Sequence, residues 1–159
     1  MAARSPEFSQ ECVEAYLFAG RPPRILLFRR PPDRESIWVP VSGKAEPEDE
    51  SLPATLRREL AEETQLAEPV RVFELGWEFP FNGPDGRPWR LHGYGVELER
   101  EDAPVLSDEH DAFEWVDPAE ALARLHYEDN RMALRLLLDL LGREANGEPI
   151  PAADAPETG

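Results

Sequence analysis

The stretch Ser51–Leu66, SLPATLRRELAEETQL, places two opposed demands on one helix. Leu52, Leu56 and Leu60 recur every fourth residue, a spacing that lines one side of a helix and must be buried. Ser51 can cap the N-terminus, and Pro53 is tolerated in the first turn, so the pattern predicts a helix from about Ser51 to Gln65. Glu59, Glu62 and Glu63 lie three and four residues apart, on another side and near the C-terminal end. Like charges at these spacings destabilise a helix by a few tenths of a kcal/mol per pair. The helix macrodipole opposes each acid there by roughly 0.3–1 kcal/mol more. Arg57 and Arg58 offset only part of this, so the sequence lacks a positive charge. A hard divalent cation would supply it: Mg²⁺ takes oxygen ligands and binds through one or two carboxylates plus a substrate phosphate. Glu46, Glu48, Asp49 and Glu50, in the loop before the helix, are near enough in sequence to join such a site. The rival reading is a solvated acidic face. With 33 Asp and Glu against 17 Lys and Arg, and a formal charge of −16, acidic clusters arise in this chain from composition alone. From these residues by themselves, both readings stand.

The flanking segments set the rest of the architecture. ECVEAYLFA, RILLFRR and SIWVPVSG precede the helix as extended runs, the first two separated by the turn signal GRPP. VRVFELGWEFPF and WRLHGYGVELE follow it, joined by the strong turn NGPDGRP. DAFEWV reads as a further strand, DPAEALARL as a capped helix, and EDNRMALRLLLDLLG as an amphipathic helix closed by Gly142. The order β-β-β-α-β-β-β-α-α implies a mixed sheet covered by helices, an α/β layered domain. Residues 1–10 read as a flexible N-terminus, 11–142 as one domain, and 143–159, rich in Pro, Ala and acids, as a disordered tail. Cys12 is the only cysteine and reads as a small core residue. No apolar run approaches the roughly 18 residues of a membrane span, and the N-terminus lacks a signal-peptide hydrophobic region. A soluble, cytoplasmic protein is expected. Its acidity argues against nucleic acid or anionic membranes as partners, and nothing in the sequence indicates an oligomeric state.

The segment GKAEPEDESLPATLRRELAEETQL, Gly43 to Leu66, resembles the Nudix box, G-x5-E-x7-R-E-U-x-E-E-x-G-U with U aliphatic. Glu50, seven residues and then Arg58-Glu59-Leu60-Ala61-Glu62-Glu63 match its second half in order and spacing. Two departures lie outside that core. Six residues rather than five separate Gly43 from Glu50, and Gln65 stands where the box has a glycine suited to a left-handed helix exit. The resemblance implies a Nudix-type α/β/α sandwich with a mixed β-sheet and a metal site on Glu59, Glu62 and Glu63. Glu46 would be an outer member, and Arg58 would hold a glutamate by charge-assisted hydrogen bonds. Mg²⁺ is the implied cofactor, with Mn²⁺ an acceptable substitute.

The likeness extends over roughly Cys12 to Leu141. Through LLFRRPP…WVPVSGKAE, LSDEHDAFEWVDPAEAL and YEDNRMAL, it is most similar to dihydroneopterin triphosphate and related nucleoside triphosphate pyrophosphohydrolases. Carried over by position, Glu109 would be an extra carboxylate that reaches the metal or activates water, with Glu62 the other candidate base, while His110 could be a base or could fix the loop, the second being favoured. Arg29 would meet phosphate, Ser42 would donate to a substrate oxygen, and Asp129 or Asn130 would line the pocket rim. Trp77, Phe79, Phe81, Trp89 and Tyr94 form an aromatic set able to stack a ring, although most of them suit a core or sheet face equally well. The implied activity is metal-dependent cleavage of a phosphoanhydride in a small-molecule nucleotide or pterin polyphosphate. Dinucleoside polyphosphates and ADP-ribose are alternative substrates. A degenerate domain that binds without hydrolysis is the rival from another class, and isoprenoid diphosphate isomerisation ranks last because Cys12 is poorly placed for it.

Overall fold

The computed structural model describes residues 8–153. The elements follow the expected order with one exception: β1 (Gln10–Ala19), β2 (Arg24–Arg29), a 3₁₀ turn (Pro32–Arg34), β3 (Trp38–Val39), β4 (Val41–Lys44), α1 (Leu52–Thr64), β5 (Arg71–Asn82), β6 (Pro88–Glu97), β7 (Ala112–Val116), α2 (Pro118–Arg124) and α3 (Glu128–Ala145). The strand expected over SIWVPVSG is divided at Pro40 into two, β3 paired with β2 and β4 paired with β1. Strand β1 is the axis of a mixed sheet. It pairs in parallel with β6 along one side, Gln10 opposite Trp89 through Phe18 opposite Glu97. Its other side is shared between β4, at Cys12–Ala15, and β2, at Leu17–Ala19, both antiparallel. β5 continues the sheet beyond β6, and β7 lies beyond β2. Flanked by strands and covered on both faces, β1 is buried from Glu11 to Ala19, as a central strand must be.

Side chains alternate between the two faces. Val13, Ala15, Leu17 and Ala19 join Leu56 and Leu60 in one core, so the leucine stripe of α1 covers this face. Tyr16 and Phe18 join Ala121 of α2 and Ala133, Leu134 and Leu137 of α3 in the other. The result is the expected α/β/α sandwich. Among the described residues, no helix is long and apolar enough to cross a membrane.

Both ends of α1 show how its sequence is read. Ser51 accepts from the Ala54 N–H at 3.2 Å, which confirms the N-cap. Gln65 adopts the left-handed conformation, φ 52°, and its N–H reaches the Ala61 carbonyl at 3.3 Å. The helix therefore exits as the box prescribes, with a residue other than glycine in the strained position.

Three expectations need correction. Gly142 does not close the last helix; with the helix still packed against the sheet, α3 runs on to Ala145. The segment after it is placed as far as Ala153. Ile150 packs against the α3-side core, Ala153 against the α1-side core, and the Ala153 N–H donates to the Val72 carbonyl of β5 at 2.8 Å. The N-terminal segment is tied down from Phe8 onward, for the Ser9 N–H donates to the Pro88 carbonyl and the Arg90 guanidinium lies 4.7 Å from the Phe8 ring centre. Only residues 1–7 and 154–159 of the two expected flexible ends fall outside the described chain.

Candidate active site

The acidic end of α1 lies against the strand that carries Gly43. A Cβ on Gly43 would fall 2.1 Å from the Glu59 Cδ, so any side chain there would push that carboxylate aside. Arg58 gathers the surrounding acids. Its Nε and Nη2 donate to the two oxygens of Asp49 at 3.1 and 2.9 Å, a bidentate pair. Its Nη1 lies 3.3 Å from each of Glu46, Glu59 and Glu62. Asp49 also accepts from the Thr55 hydroxyl and the Glu46 N–H, both at 2.8 Å. The carboxylate that Arg58 holds is thus Asp49 and not Glu50, which is exposed. Five residues separate Gly43 from Asp49, so the loop keeps the spacing of the box, and the extra residue falls between Asp49 and the helix.

One guanidinium does not neutralise this group. Burial pushes Glu59 up to about 7, and Glu62 and Glu63 add to the rise against the pull of Arg58. Glu63 is also raised, chiefly by burial, with the Ser107 hydrogen bond opposing and Glu109 and Glu62 reinforcing. Ser107 donates to Glu63 Oε2 at 2.5 Å and accepts from the Glu109 N–H at 3.2 Å. The loop that carries Glu109 is therefore pinned to the acidic helix, while the Glu109 carboxylate itself takes a 2.7 Å hydrogen bond from Arg34. His110 is buried, with its ring centre 5.0 Å from that of Phe28. Burial lowers it to about 4, which favours the neutral ring. Among the described residues, no three acidic, imidazole or thiol groups already converge on one point. An all-oxygen set with excess negative charge fits a hard divalent ion that keeps water and phosphate among its ligands.

Across β4 from this helix lies a cavity of about 430 Å³. Phe79, Phe81, Trp89 and Leu91 give it an aromatic and apolar wall, Ser42, Gly43 and Lys44 a rim shared with the acidic site, and Glu14, Asp129 and Asn130 a polar floor. Two expected binding residues are elsewhere. Arg29, the last residue of β2, donates to Asp111 at 3.0 Å and lies over the Trp38 ring; its neighbour Arg30 lines the cavity instead. Adjacent residues leave a strand in opposite directions. Arg30 forms no ion pair among the described residues. Trp77, first of the row Trp77–Phe79–Phe81 on one face of β5, is taken up by the core beneath α3. Ser42 and Asp129 both line the cavity.

The sequence reading missed Glu14. It sits in β1 as an acid amid apolar residues, 5% exposed, and accepts from the Tyr16 hydroxyl and from Asn130 Nδ2, the latter at 3.1 Å. Burial pushes it up to about 7, against the Tyr16 hydrogen bond, with Asp129 adding to the rise. A lone carboxylate inside a central strand was the available signal.

Residues 10–137 match the NUDIX domain family. Among curated proteins, an octanoyltransferase from Myxococcus xanthus is 36% identical over 128 residues, 77% of this chain; the chain spans only 35% of that relative's length. Among solved structures, the C. elegans Ap4A hydrolase binary complex superposes with a TM-score of 0.69 at 19% identity, covering 84% of this chain and 98% of that one. The E. coli dihydroneopterin triphosphate pyrophosphohydrolase gives 0.67 at 23% identity, covering 82% and 95%. At such identities these two structures speak for the fold alone. The family match, the sandwich and the Arg58–Glu63 helix agree, and the chain belongs to the Nudix family of hydrolases.

Proposed function

We propose that the protein cleaves a phosphoanhydride of a nucleoside triphosphate-like substrate, dihydroneopterin triphosphate or a deoxynucleoside triphosphate, with Mg²⁺ bound at α1. One observation carries this reading. A cavity with an aromatic wall and a polar floor meets, across Gly43, the helix end where acids accumulate without enough positive charge. Glu59, Glu62 and Glu63 would hold the metal, with Glu46 in the outer position and Mn²⁺ an acceptable substitute. When bound, such an ion neutralises phosphate charge and makes a water more acidic. Arg30 and Lys44, the two cations lining the cavity, would draw the phosphates toward the metal. Ser42, on the rim, would donate to a phosphate oxygen. Glu109, kept in place by Arg34 and by the Ser107 turn, would orient the attacking water and take its proton; Glu62 is the second candidate for that role. Arg58 acts through others, as a positioning residue that fixes Asp49 and turns Glu59.

The two departures from the box do not argue for a degenerate domain. Asp49 restores the loop spacing, and Gln65 takes the required helix exit. The test is release of phosphate and pyrophosphate with Mg²⁺ from dihydroneopterin triphosphate, the deoxynucleoside triphosphates, diadenosine tetraphosphate and ADP-ribose, beside a Glu63→Gln variant. Turnover lost in the variant supports the assignment and names the substrate. Nucleotides that raise the melting temperature without being hydrolysed would replace it with a binding module.

A further inference from the structure

The floor of the cavity has an unusual hydrogen-bond balance. Glu14, Tyr16 and Asn130 are 5%, 2% and 2% exposed, so each polar atom there must find a partner or carry a penalty. The donors are used internally. The Tyr16 hydroxyl is spent on Glu14, and Asn130 Nδ2 lies 3.1 Å from both Glu14 Oε2 and Tyr16 Oη. A carboxylate can only accept, which turns the amide nitrogen of Asn130 toward Glu14 and leaves Oδ1 as the other end. That Oδ1 is buried and has no partner among the described residues. Asp129, the next residue along α3, adds a second carboxylate to the lining. What remains unspent on this floor is therefore acceptor: Glu14, Asn130 Oδ1 and Asp129.

We infer that Glu14, Asn130 and Asp129 select a heterocycle that presents adjacent N–H and exocyclic amine donors, the edge shared by guanine and pterins, and that they reject adenine. Phe79, Phe81 and Trp89 form the wall on which such a ring stacks. Adenine offers an amine beside an acceptor nitrogen, which would face a carboxylate lone pair. Cytosine has the same defect, and thymine sets carbonyls on both sides of its one N–H. A site built for an N–H rejects an analogue that lacks it far more strongly than a site discriminating by size, because its own polar atoms are then left unpaired. Ligand N–H groups also favour the ionised form of Glu14, which burial alone disfavours. This inference rests on the cavity being the ring site of the function proposed above, and not on hydrolysis.

The test reads binding alone. Guanosine, inosine and adenosine 5′-(α,β:β,γ-bismethylene)triphosphates, in which neither anhydride link can be hydrolysed, are titrated calorimetrically into the full chain with Mg²⁺. The guanosine analogue should bind at least about 30-fold more tightly than the adenosine analogue. Inosine, which keeps the ring N–H and lacks the amine, should fall between them. Glu14→Gln should bring the guanosine-to-adenosine ratio to within about three-fold, because the amide adds a donor where only acceptors stood. Asp129→Asn should narrow the ratio in the same direction, should Glu14→Gln fail to fold. Equal affinity for the two purines in the wild type, tighter adenosine binding, or no binding of any analogue overturns the inference. Guanosine preference in a protein that hydrolyses none of the panel would overturn the hydrolase reading and leave this one standing.

Discussion

The exchange of Asp49 for Glu50 as the partner of Arg58 gives a direct test of the structure against the simplest reading of the motif. Asp49 accepts four hydrogen bonds, two from Arg58 and one each from Thr55 and the Glu46 N–H. Its side chain is 10% exposed. Asp49→Ala removes all four and leaves Arg58 with its 3.0 Å hydrogen bond to the Lys44 carbonyl and the 3.3 Å contacts to Glu46, Glu59 and Glu62. Breaking a fully buried ion pair costs about 3–5 kcal/mol. Arg58 is 25% exposed and keeps other acids nearby, so about 2–3 kcal/mol is expected here. For a chain of this size, 1 kcal/mol moves Tm by about 2–4 °C, and the drop should be about 4–12 °C. Glu50→Ala removes an exposed side chain and should stay within about 0.5 kcal/mol. The Arg58 guanidinium holds the Asp49 carboxyl well below the usual carboxylate range. Its stabilisation is therefore complete above about pH 4 and is lost only as pH falls further, so the gap between wild type and Asp49→Ala should close in acid. Thermal melts of both variants at pH 7 decide the matter. Equal losses, or a larger loss for Glu50→Ala, would refute the placement of Asp49 and return the insertion to the loop before it.

Two further outcomes follow from strained or buried positions. Gln65→Gly should raise stability by about 1 kcal/mol, read as a Tm gain of about 2–4 °C, because glycine adopts the φ of 52° without a Cβ penalty. No gain would mean that the Gln65 side chain compensates its own strain. Glu14, raised by burial to about 7, binds a proton more readily folded than unfolded, so wild-type stability should fall as pH rises from about 4.5 to about 7 and level off above. Glu14→Gln should lack that component, which makes the difference in Tm between variant and wild type grow in the variant's favour between pH 5 and pH 8; a constant difference would sink the assignment.

Much of this was legible in the chain because period carries burial. Leu52, Leu56 and Leu60 placed the helix and its buried side, and the turn NGPDGRP placed the long hairpin. The acid cluster was legible as an energetic conflict: three glutamates where the helix field opposes them need a reason. Several details were not legible, for reasons of geometry. Whether Arg29 or Arg30 faces the cavity depends on which way the chain leaves the end of β2, and RR carries no sign of that. Trp77 and Phe79 share a strand face, and only the position of α3 decides that the first belongs to the core and the second to the cavity. Asp49 and Glu50 are equally acidic neighbours; the loop path, not the letter, chooses between them. Gly142 resembles a helix stop, but a glycine inside a packed helix continues when tertiary contacts outweigh its cost of about 1 kcal/mol.

Lys44 has a practical consequence. It is the only lysine among the 17 Lys and Arg residues, and it stands on the cavity rim with its ammonium 5.6 Å from the centre of the Trp89 ring. Nature has thus confined the side-chain amines of this protein to one address beside an intrinsic fluorophore. An amine-directed reagent that modifies a lysine can modify only this one, and a bound ligand that shields it will slow the labelling. Occupancy could then be followed by mass or by tryptophan emission, without any engineered tag and before a substrate is known.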